Sequence, residues 1–234
     1  MGLTAEEIRA PLEAFIAARA GTRAARITHL ARLGGGAVQE NWRIDAELDG
    51  TATALVLRVS SASEGVSESM SRTQEFALLS AVHAAGIAVP EPLWLAPDAS
   101  VIGRPFLIMR FVPGMAAGHR LVKEGFGDTL AERLGEELAR IHAIRPGHPG
   151  LDRLPEPNAA PAQAAVARIR TFLDGYGVPQ PALEWAARWL ERKAPPLREV
   201  TLVHRDFRTG NYLVEGSALR AVLDWEFAGW GDPD

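Results

Sequence analysis

The hydrophobic pattern of the chain changes near residue 113, and this change constrains the fold more than any other feature of the sequence. Before residue 113, short apolar runs bounded by turn residues predict five strands, at 27–33, 41–48, 51–59, 93–95 and 106–111. One helix is predicted among them, at 72–85, and Asp49-Gly50 predicts a tight turn between the second and third strands. After residue 113, apolar residues recur mainly at helical spacing. The pattern therefore predicts an α+β fold in which a sheet-rich part precedes a mainly helical part.

The ends of two helices are marked by capping residues. Thr4 and Glu7 form a capping box for a first helix, and Gly21 is its natural end. In the second half of the chain, Asp128 is placed to begin a helix whose leucines recur every three or four residues. These signals predict one helix before the sheet and one soon after it.

Two further helices are predicted at 162–173 and 182–193. Trp185 and Trp189 lie four residues apart on the second of these, so we expect them to pack together or into the core. Strands are then predicted to return, at 200–203, 212–214 and 219–223.

Composition narrows the class of protein. The chain has 234 residues, of which 47% are hydrophobic, and this suits one large domain or two lobes. Its formal net charge of −4 offers no basic surface for nucleic acid. The absence of cysteine excludes disulfides and thiolate catalysis and fits a reducing compartment. The sequence shows no signal peptide and no apolar run of about 18 residues, so we expect a soluble, cytoplasmic protein that does not enter membranes.

Asp206, Asn211 and Asp224 are the residues that most clearly carry chemistry. Asn211 follows Asp206 after five positions, and Asp224 comes directly after the apolar run 221–223. Phosphoryl transfer needs a carboxylate that orients the attacking hydroxyl and takes its proton, and an amide oxygen and a carboxylate that hold Mg²⁺. The order and spacing of the three residues therefore predict Asp206 as the catalytic base and Asn211 and Asp224 as ligands of Mg²⁺.

Two residues beside Asp206 are open to more than one interpretation. We expect His204 to be a structural histidine that fixes the following loop through hydrogen bonds, in preference to a general base. Arg208 could neutralise charge on the transferred phosphoryl group, or it could be an ordinary surface arginine. The sequence favours neither interpretation of Arg208.

The first half of the chain contains candidates for holding phosphates. The triplet Gly34-Gly35-Gly36 lies between two predicted strands, which favours a loop whose backbone N–H groups close over phosphates, although such a triplet can also be a simple turn. Arg58 on the third strand and Glu75 on the following helix are predicted to form an ion pair that grips phosphates. The alternative is an outward-facing arginine and a solvated glutamate.

These residues resemble a known family. The runs 204–211 (HRDFRTGN) and 224–233 (DWEFAGWGDP) look like motifs of the aminoglycoside phosphotransferase and choline kinase-like family. Within it, the likeness is greatest to bacterial phosphotransferases related to the kinase-like domain of certain acyl-CoA dehydrogenase fusions. The runs 33–37, 106–114 and 134–144 are similar to the family's nucleotide loop, its last N-lobe strand with the hinge, and its first C-lobe helix.

The resemblance implies a protein-kinase-like fold of two lobes. The N-lobe, an antiparallel sheet with one helix, would cover residues 1–113, and a mainly helical C-lobe would cover 114–234. It also implies that ATP or GTP binds with Mg²⁺ between the lobes and that a hydroxyl group of a small molecule accepts the phosphoryl group. By the same resemblance, Met109 and Phe111 line the base pocket at the hinge, and Glu226 is a further carboxylate beside the metal.

The chain departs from the family pattern at three points. Arg58 lies where the wider kinase fold usually has lysine. A planar guanidinium group therefore replaces a compact ammonium group at this position. Asp-Trp-Glu at 224–226 replaces Asp-Phe-Gly, which is normal for the small-molecule branch and argues against a protein kinase. The sequence ends at Asp234, where family members continue with several helices. We therefore expect a C-terminally truncated fold that lacks much of the acceptor pocket and leaves apolar surface near Trp225, Phe227 and Trp230 uncovered.

The sequence thus predicts a kinase that phosphorylates a hydroxyl group of a small molecule. The alternative is a non-catalytic nucleotide-binding pseudokinase, or a fragment that lacks the acceptor site. The acceptor stays open among an aminoglycoside, an amino alcohol, a sugar and a hydroxyacyl thioester. The choice between ATP and GTP and the oligomeric state also stay open.

Overall fold

The computed structural model describes residues 3–34, 40–60, 70–116, 118–125, 128–155 and 160–233. In these ranges the chain forms six helices: α1 (Ala5–Ala20), α2 (Arg72–Ala84), α3 (Gly118–Glu124), α4 (Asp128–His142), α5 (Pro161–Tyr176) and α6 (Pro181–Lys193). The same ranges hold nine strands: β1 (Ala25–Arg32), β2 (Glu40–Leu48), β3 (Thr51–Val59), β4 (Pro92–Ala96), β5 (Phe106–Arg110), β6 (Thr201–Val203), β7 (Tyr212–Glu215), β8 (Ala218–Val222) and β9 (Gly229–Gly231).

The first five strands form one antiparallel sheet in the order β1-β2-β3-β5-β4. Asp49 and Gly50 join β2 to β3, and both have positive φ, at 47° and 85°. Two consecutive residues in the left-handed region match the right-handed twist of the strands that they connect. The predicted tight turn is therefore confirmed, and it fixes the register of the two central strands.

One face of this sheet, which we call the outer face, packs against α1. The side chains of Ile44 on β2 and Leu57 on β3 point to this face and are fully buried against Leu12 of α1. Burial of one such side chain stabilises the fold by about 1.5–3 kcal/mol. The predicted capping box of α1 is present, and Gly21 ends the helix with φ at 67°.

The opposite face, which we call the inner face, meets α2 and the second half of the chain. Leu107 and Met109 of β5 belong to a buried cluster with Leu79 of α2, Ile141 of α4 and Trp225. The cluster therefore joins the sheet-rich part to the helical part.

Helix α2 is also tied to the second half of the chain through backbone hydrogen bonds at its two ends. Before the helix, the N–H of Met70 donates to the carbonyl of Glu226 over 3.1 Å. After it, the N–H of Ala88 donates to the buried Glu137 carboxylate of α4, and the carbonyl of Ala88 accepts from Val222 over 2.6 Å. These bonds hold α2 in a fixed position relative to the loop that follows β8.

Two small antiparallel pairs complete the second half of the chain. β7 and β8 form a hairpin, and β6 pairs with β9. Gly231 in β9 allows this pairing, since a Cβ atom there would lie 2.7 Å from Cγ2 of Val203. The loop between β6 and β7 meets the loop that follows β8, since the N–H of Leu223 donates to the carbonyl of Asn211.

Three expectations from the sequence were wrong or incomplete. Trp185 and Trp189 were expected to pack together or into the core, but they are 71% and 51% exposed. The apolar surface near Trp225, Phe227 and Trp230 was expected to lack cover, but Trp225 and Trp230 are buried in the cluster that includes residues of α2, α4 and β5, and Phe227 is half-buried. Helix α3 and strand β9 were not predicted, since both are short and rich in glycine or polar residues.

The predicted α+β class is confirmed, with a sheet that precedes a mainly helical part. The predicted boundary at residue 113 stays a prediction. Along the described ranges, no helix combines the length and the apolar character needed to cross a membrane.

Candidate active site

His204 fixes the loop that follows β6. Its Nδ1 accepts a hydrogen bond from the N–H of Asp206 over 3.3 Å, so Nε2 carries the proton and donates to the carbonyl of Leu223 over 2.9 Å. The ring lies edge-on to Trp225, at 4.7 Å between centroids, and is 1% exposed. Burial lowers the pKa of His204 below its usual value, which favours the neutral ring that these bonds require. The expected structural role of His204 therefore matches its contacts.

The Asp206 carboxylate accepts hydrogen bonds from two other predicted site residues. Nδ2 of Asn211 donates to Oδ2 of Asp206 over 2.6 Å and to its backbone carbonyl over 3.0 Å. Nε of Arg208 donates to Oδ1 over 2.9 Å. Each oxygen of the carboxylate thus accepts a hydrogen bond from one side chain, and the two bonds together fix the orientation of the carboxylate group. Arg208 remains largely exposed, so its guanidinium can also meet a ligand from solvent.

Asp224 follows the β7–β8 hairpin, whereas Asn211 precedes it, and the two residues lie near each other at the open end of the hairpin. The N–H of Leu223 donates to the carbonyl of Asn211 over 2.7 Å, which places Asp224 beside the Asn211 loop. Asp224 itself has a φ of 62°, a conformation that L residues other than Asn and Asp seldom adopt. The structure therefore brings Asp206, Asn211 and Asp224 together, as the sequence predicted.

A buried cluster of charges lies next to Asp224 and includes residues of the inner face. Nε of Arg58 lies 2.8 Å from Oε1 of Glu75, an ion pair in which the N–H is not aligned for a hydrogen bond. The NH2 nitrogen of Arg58 donates to Oδ1 of Asp224 over 2.9 Å and lies 3.6 Å from Oε2 of Glu226. The predicted pairing of Arg58 with Glu75 is confirmed, and Arg58 also links the sheet to the loop after β8.

Arg72 is a second buried arginine in this cluster, and the sequence analysis did not single it out. Its NH1 contacts Oε2 of Glu75, and its Nε lies 3.3 Å from the hydroxyl of Ser60. Burial and the nearby charge of Arg58 lower the pKa of Arg72 to about 9, so the group is protonated at pH 7. Its position three residues before Glu75 on one helix was the signal that could have revealed it.

Arg205 was also missed. It has a φ of 65°, and its NH2 donates to the carbonyl of Trp230 over 2.8 Å. The guanidinium lies against Gly229, where a Cβ atom would be 3.2 Å from NH2. Arg205 thus attaches the segment before β9 to the loop that carries Asp206.

The remaining predicted residues lie along the inner face and its edge. Met109 of β5 is buried, and Phe111 follows the strand with its N–H donating to the carbonyl of Ala54 over 3.0 Å. Gly34 follows β1, whereas Gly35 and Gly36 lie outside the described residues.

The side chains fit the expected magnesium ion through the chemistry of their donors. Since Nδ2 of Asn211 is bonded to Asp206, its Oδ1 is the atom suited to a cation, and Asp224 supplies carboxylate oxygens. Such hard oxygen ligands are those that Mg²⁺ prefers. The described residues contain no group of three or more His, Cys, Asp or Glu side chains arranged to hold a metal. A site here would therefore rely on the amide of Asn211 and on groups from outside the protein, such as phosphates or water.

Comparison with known proteins begins with a curated relative. Mouse (Mus musculus) acyl-CoA dehydrogenase family member 10 is 31% identical over 170 residues, which are 68% of this chain and 15% of that protein. The chain therefore spans less than a fifth of the length of this relative. The match agrees with the predicted likeness to the kinase-like domain of such proteins.

Two solved structures show the same fold. A Ralstonia eutropha JMP134 protein, provisionally described as an aminoglycoside phosphotransferase, aligns with a TM-score of 0.71 at 20% identity, over 96% of this chain and 66% of that chain. Wild-type aminoglycoside 2′-phosphotransferase-IIIa, in its complex with GDP, aligns with a TM-score of 0.66 at 16% identity, over 94% of this chain and 73% of that chain. The predicted two-lobed, protein-kinase-like fold is confirmed.

The family assignment rests on a match over most of the chain. The profile of the phosphotransferase enzyme family, APH, matches residues 29–234, which include the last part of β1, all later strands and every residue of the cluster around Asp206 and Asp224. The chain therefore belongs to the phosphotransferase enzyme family.

Proposed function

We propose that this protein is a Mg²⁺-dependent phosphotransferase that moves the γ-phosphoryl group of ATP or GTP to a hydroxyl group of a small molecule. The observation that carries the proposal is the meeting of Asp206, Asn211 and Asp224 opposite Arg58. Membership of the phosphotransferase family supports it, as do solved neighbours that are complexes with ADP, GDP or ATP. One of those neighbours is a ternary complex that holds streptomycin, a small molecule, together with ATP.

Asp206 would orient the acceptor hydroxyl and take its proton. Asn211 and Arg208 each donate a hydrogen bond that would hold the carboxylate in place, and neither side chain would take the proton itself. Arg208 is exposed enough to approach the phosphoryl group and balance charge that develops during transfer. This arrangement favours the catalytic interpretation of Arg208 over that of an ordinary surface arginine.

Asn211 and Asp224 would hold Mg²⁺, and Glu226 would be a further carboxylate beside it. The ion, when bound, would neutralise the phosphates of the nucleotide. Asp224 would have to exchange its bond with Arg58 for the ion. Arg58 would then be free to contact the phosphates, while Glu75 and Arg72 keep its guanidinium in position.

The remaining assignments follow the same proposal. Residues 1–113 would form the N-lobe and 114–234 the C-lobe. Gly34, Gly35 and Gly36 would close over the phosphates, and the hinge at Met109 and Phe111 would receive the base. These roles rest on family likeness and on the position of the inner face.

The direct test is Asp206→Asn, which keeps the shape of the side chain but removes the base. We expect turnover to fall by about 10²–10⁴-fold, the usual contribution of a general base, with little change in nucleotide affinity. Turnover would be followed as ADP or GDP release over a panel of hydroxyl compounds, and affinity by calorimetry. Asp152→Asn, an exposed aspartate of the C-lobe, is the matched control.

The possible results separate the candidate functions. Turnover of Asp206→Asn near the wild-type rate would show that Asp206 is not the base. Nucleotide binding by the wild-type protein without turnover of any compound would favour the non-catalytic nucleotide-binding module. Absence of both binding and turnover would refute the proposal.

A further inference from the structure

Arg205, which directly precedes Asp206, has a backbone conformation that arginine seldom adopts. Its φ of 65° lies in the left-handed region, where the Cβ atom of an L residue crowds the backbone and glycine is favoured. Among the described residues other than glycine, Asp49 and Asp224 also have positive φ, and aspartate tolerates this region better. An arginine keeps such a conformation only where the surrounding structure holds it in place.

Two backbone carbonyl groups bind the side chain of Arg205. Its NH2 donates to the carbonyl of Trp230 over 2.8 Å, and its NH1 donates to the carbonyl of Phe227 over 3.4 Å. The planar guanidinium presents its donors in fixed directions, so one side chain can hold two acceptors at once. The turn that leads to Asp206 is thereby attached to the segment 227–230.

Gly229 leaves room for this contact. A Cβ atom at this position would lie 3.2 Å from NH2 of Arg205 and 3.3 Å from both Cζ and NH1. Gly229 also pairs with Val203, the last residue of β6, in the β6–β9 ladder. The guanidinium therefore lies against the backbone of β9, close to the point where the loop that carries Asp206 begins.

The neighbouring His204 attaches the same loop at a second point. Its Nε2 donates to the carbonyl of Leu223, and its Nδ1 accepts from the N–H of Asp206. Leu223 directly precedes Asp224, whereas the carbonyl groups bound by Arg205 follow Asp224. Two consecutive side chains thus attach the loop to the chain on both sides of Asp224.

We infer that Arg205 is a positioning residue, which fixes the proposed base Asp206 relative to Asp224 at the proposed metal and phosphate end. The inference rests on the proposed function, because transfer requires the base and the phosphoryl donor to meet in one geometry. A displacement of about 1 Å at a reacting group can lower the rate by about 10²-fold. Arg205 acts through Asp206, and no contact with the reacting atoms is assigned to it.

The first test is Arg205→Gly, which keeps the left-handed turn without strain and removes the guanidinium. We expect kcat to fall by about 10- to 100-fold, measured as ADP or GDP release with the best acceptor of the panel. The dissociation constants of the β,γ-imido analogues of ATP and GTP should stay unchanged. Arg205→Lys can still donate to one carbonyl and should retain part of the lost turnover. Arg23→Gly, at an arginine whose side chain is 94% exposed, is the matched control and should keep wild-type turnover.

Amide hydrogen exchange tests the attachment of the loop without any turnover. The N–H of Asp206 is bonded to His204, so its exchange reports how firmly the loop is held. We expect this amide to exchange faster in Arg205→Gly than in the wild-type protein. The N–H of Leu202 on β6 donates to the carbonyl of Ile144 over 2.9 Å and should keep its protection.

A double-mutant cycle with Gly229→Ala tests the contact itself. The added Cβ atom would force the guanidinium to shift by a few tenths of an ångström, so we expect a smaller loss of kcat than in Arg205→Gly. In Arg205→Gly/Gly229→Ala the methyl group meets no guanidinium, so the loss should be no greater than in Arg205→Gly alone. Gly135→Ala, where an added Cβ atom meets nothing within 4 Å, is the control.

The possible results decide the inference separately from the proposed function. Wild-type kcat or unchanged exchange of the Asp206 amide in folded Arg205→Gly would overturn the inference. A loss of nucleotide affinity in place of kcat, or additive losses in the double variant, would also contradict it. If the wild-type protein phosphorylates no hydroxyl compound, the proposed function fails together with the role of Arg205 in the reaction. The exchange of the Asp206 amide would then still decide whether Arg205 fixes the loop.

Discussion

Both faces of the five-stranded sheet contain buried side chains, but the two faces differ in what buries them. Leu57 and Arg58 are consecutive residues of β3, with 0% and 7% exposure. Leu57 packs on the outer face among apolar side chains, including those of α1. Arg58 lies on the inner face among the carboxylates of Glu75, Asp224 and Glu226. The comparison shows that burial alone does not reveal whether a position serves the fold or the site.

The energetics of the two faces differ for the same reason. Each apolar side chain on the outer face adds stability in proportion to the area removed from water. A buried ion pair adds little net stability, since the loss of hydration offsets much of the attraction. Among the described residues, Arg58 and Arg72 meet the carboxylates of Glu75, Asp224 and Glu226 at the inner face. We therefore expect these charges to stabilise the fold less than the apolar side chains of the outer face do.

The first way to test the comparison is Arg58→Met. The change removes a charge from the inner face and leaves Asp224 and Glu226 without this partner. We expect the free energy of unfolding to fall by about 3–5 kcal/mol, as for other buried pairs that lose one member. Nucleotide affinity should fall as well, because Arg58 is proposed to hold phosphates. Urea unfolding and calorimetry measure the two effects.

A double-mutant cycle with Glu75→Leu sharpens this prediction. If the loss comes from unpaired charge, Arg58→Met/Glu75→Leu should be less destabilised than the sum of the two single variants. Additive losses would mean that Arg58 stabilises the fold mainly through packing. In that case burial would stabilise the inner face in the same way as the outer face, through packing.

The second test is Leu57→Ala on the outer face. Truncation of this fully buried leucine leaves a cavity beneath α1, and we expect it to cost about 2–5 kcal/mol of unfolding free energy. The folded protein should keep its wild-type nucleotide affinity, since Leu57 points away from the face that carries Arg58. A stability loss of this size with an unchanged dissociation constant would show that the outer face serves the fold and not nucleotide binding. A weakened nucleotide affinity would contradict this conclusion.

Local sequence signals predicted the features that depend on neighbouring residues. The Asp49-Gly50 turn and the cap of α1 were correct because each is determined within a few residues. The contact of Asp206 with Asn211 was also accessible, since five residues of one loop cannot place the side chains far apart. The strands of the sheet followed from their apolar runs and turn residues.

Features that depend on distant partners were not predictable in this way. The spacing of Trp185 and Trp189 indicated one apolar stripe, but it could not show whether another element covers that stripe. Trp225 and Trp230 are buried in a cluster whose other members come from α2, β5 and α4, far away in the chain.

The smallest expected effect is the loss of folding stability in acid. We expect it to come from the cluster that meets the inner face and not from the outer cluster. The outer cluster is apolar, whereas His204 is buried beside Trp225 in the cluster that meets the inner face. Burial lowers the pKa of His204 in the folded protein, while the unfolded chain takes up this proton near pH 6.5. Since the unfolded state then binds more protons, stability should fall as the pH decreases through 6.5, by up to about 1.4 kcal/mol per pH unit.

Comparison of His204→Gln with the wild-type protein isolates this contribution, since glutamine can still donate to the carbonyl of Leu223 but does not titrate. Urea unfolding at pH 7.5 and pH 5.5 should show a smaller loss of stability in His204→Gln than in the wild-type protein. His142, whose pKa is also lowered by burial, adds to the same slope and should keep its share in this variant. Leu57→Ala should retain the full wild-type slope, because it alters only the apolar face. An equal loss in His204→Gln and in the wild-type protein would show that His204 is not a source of the acid sensitivity.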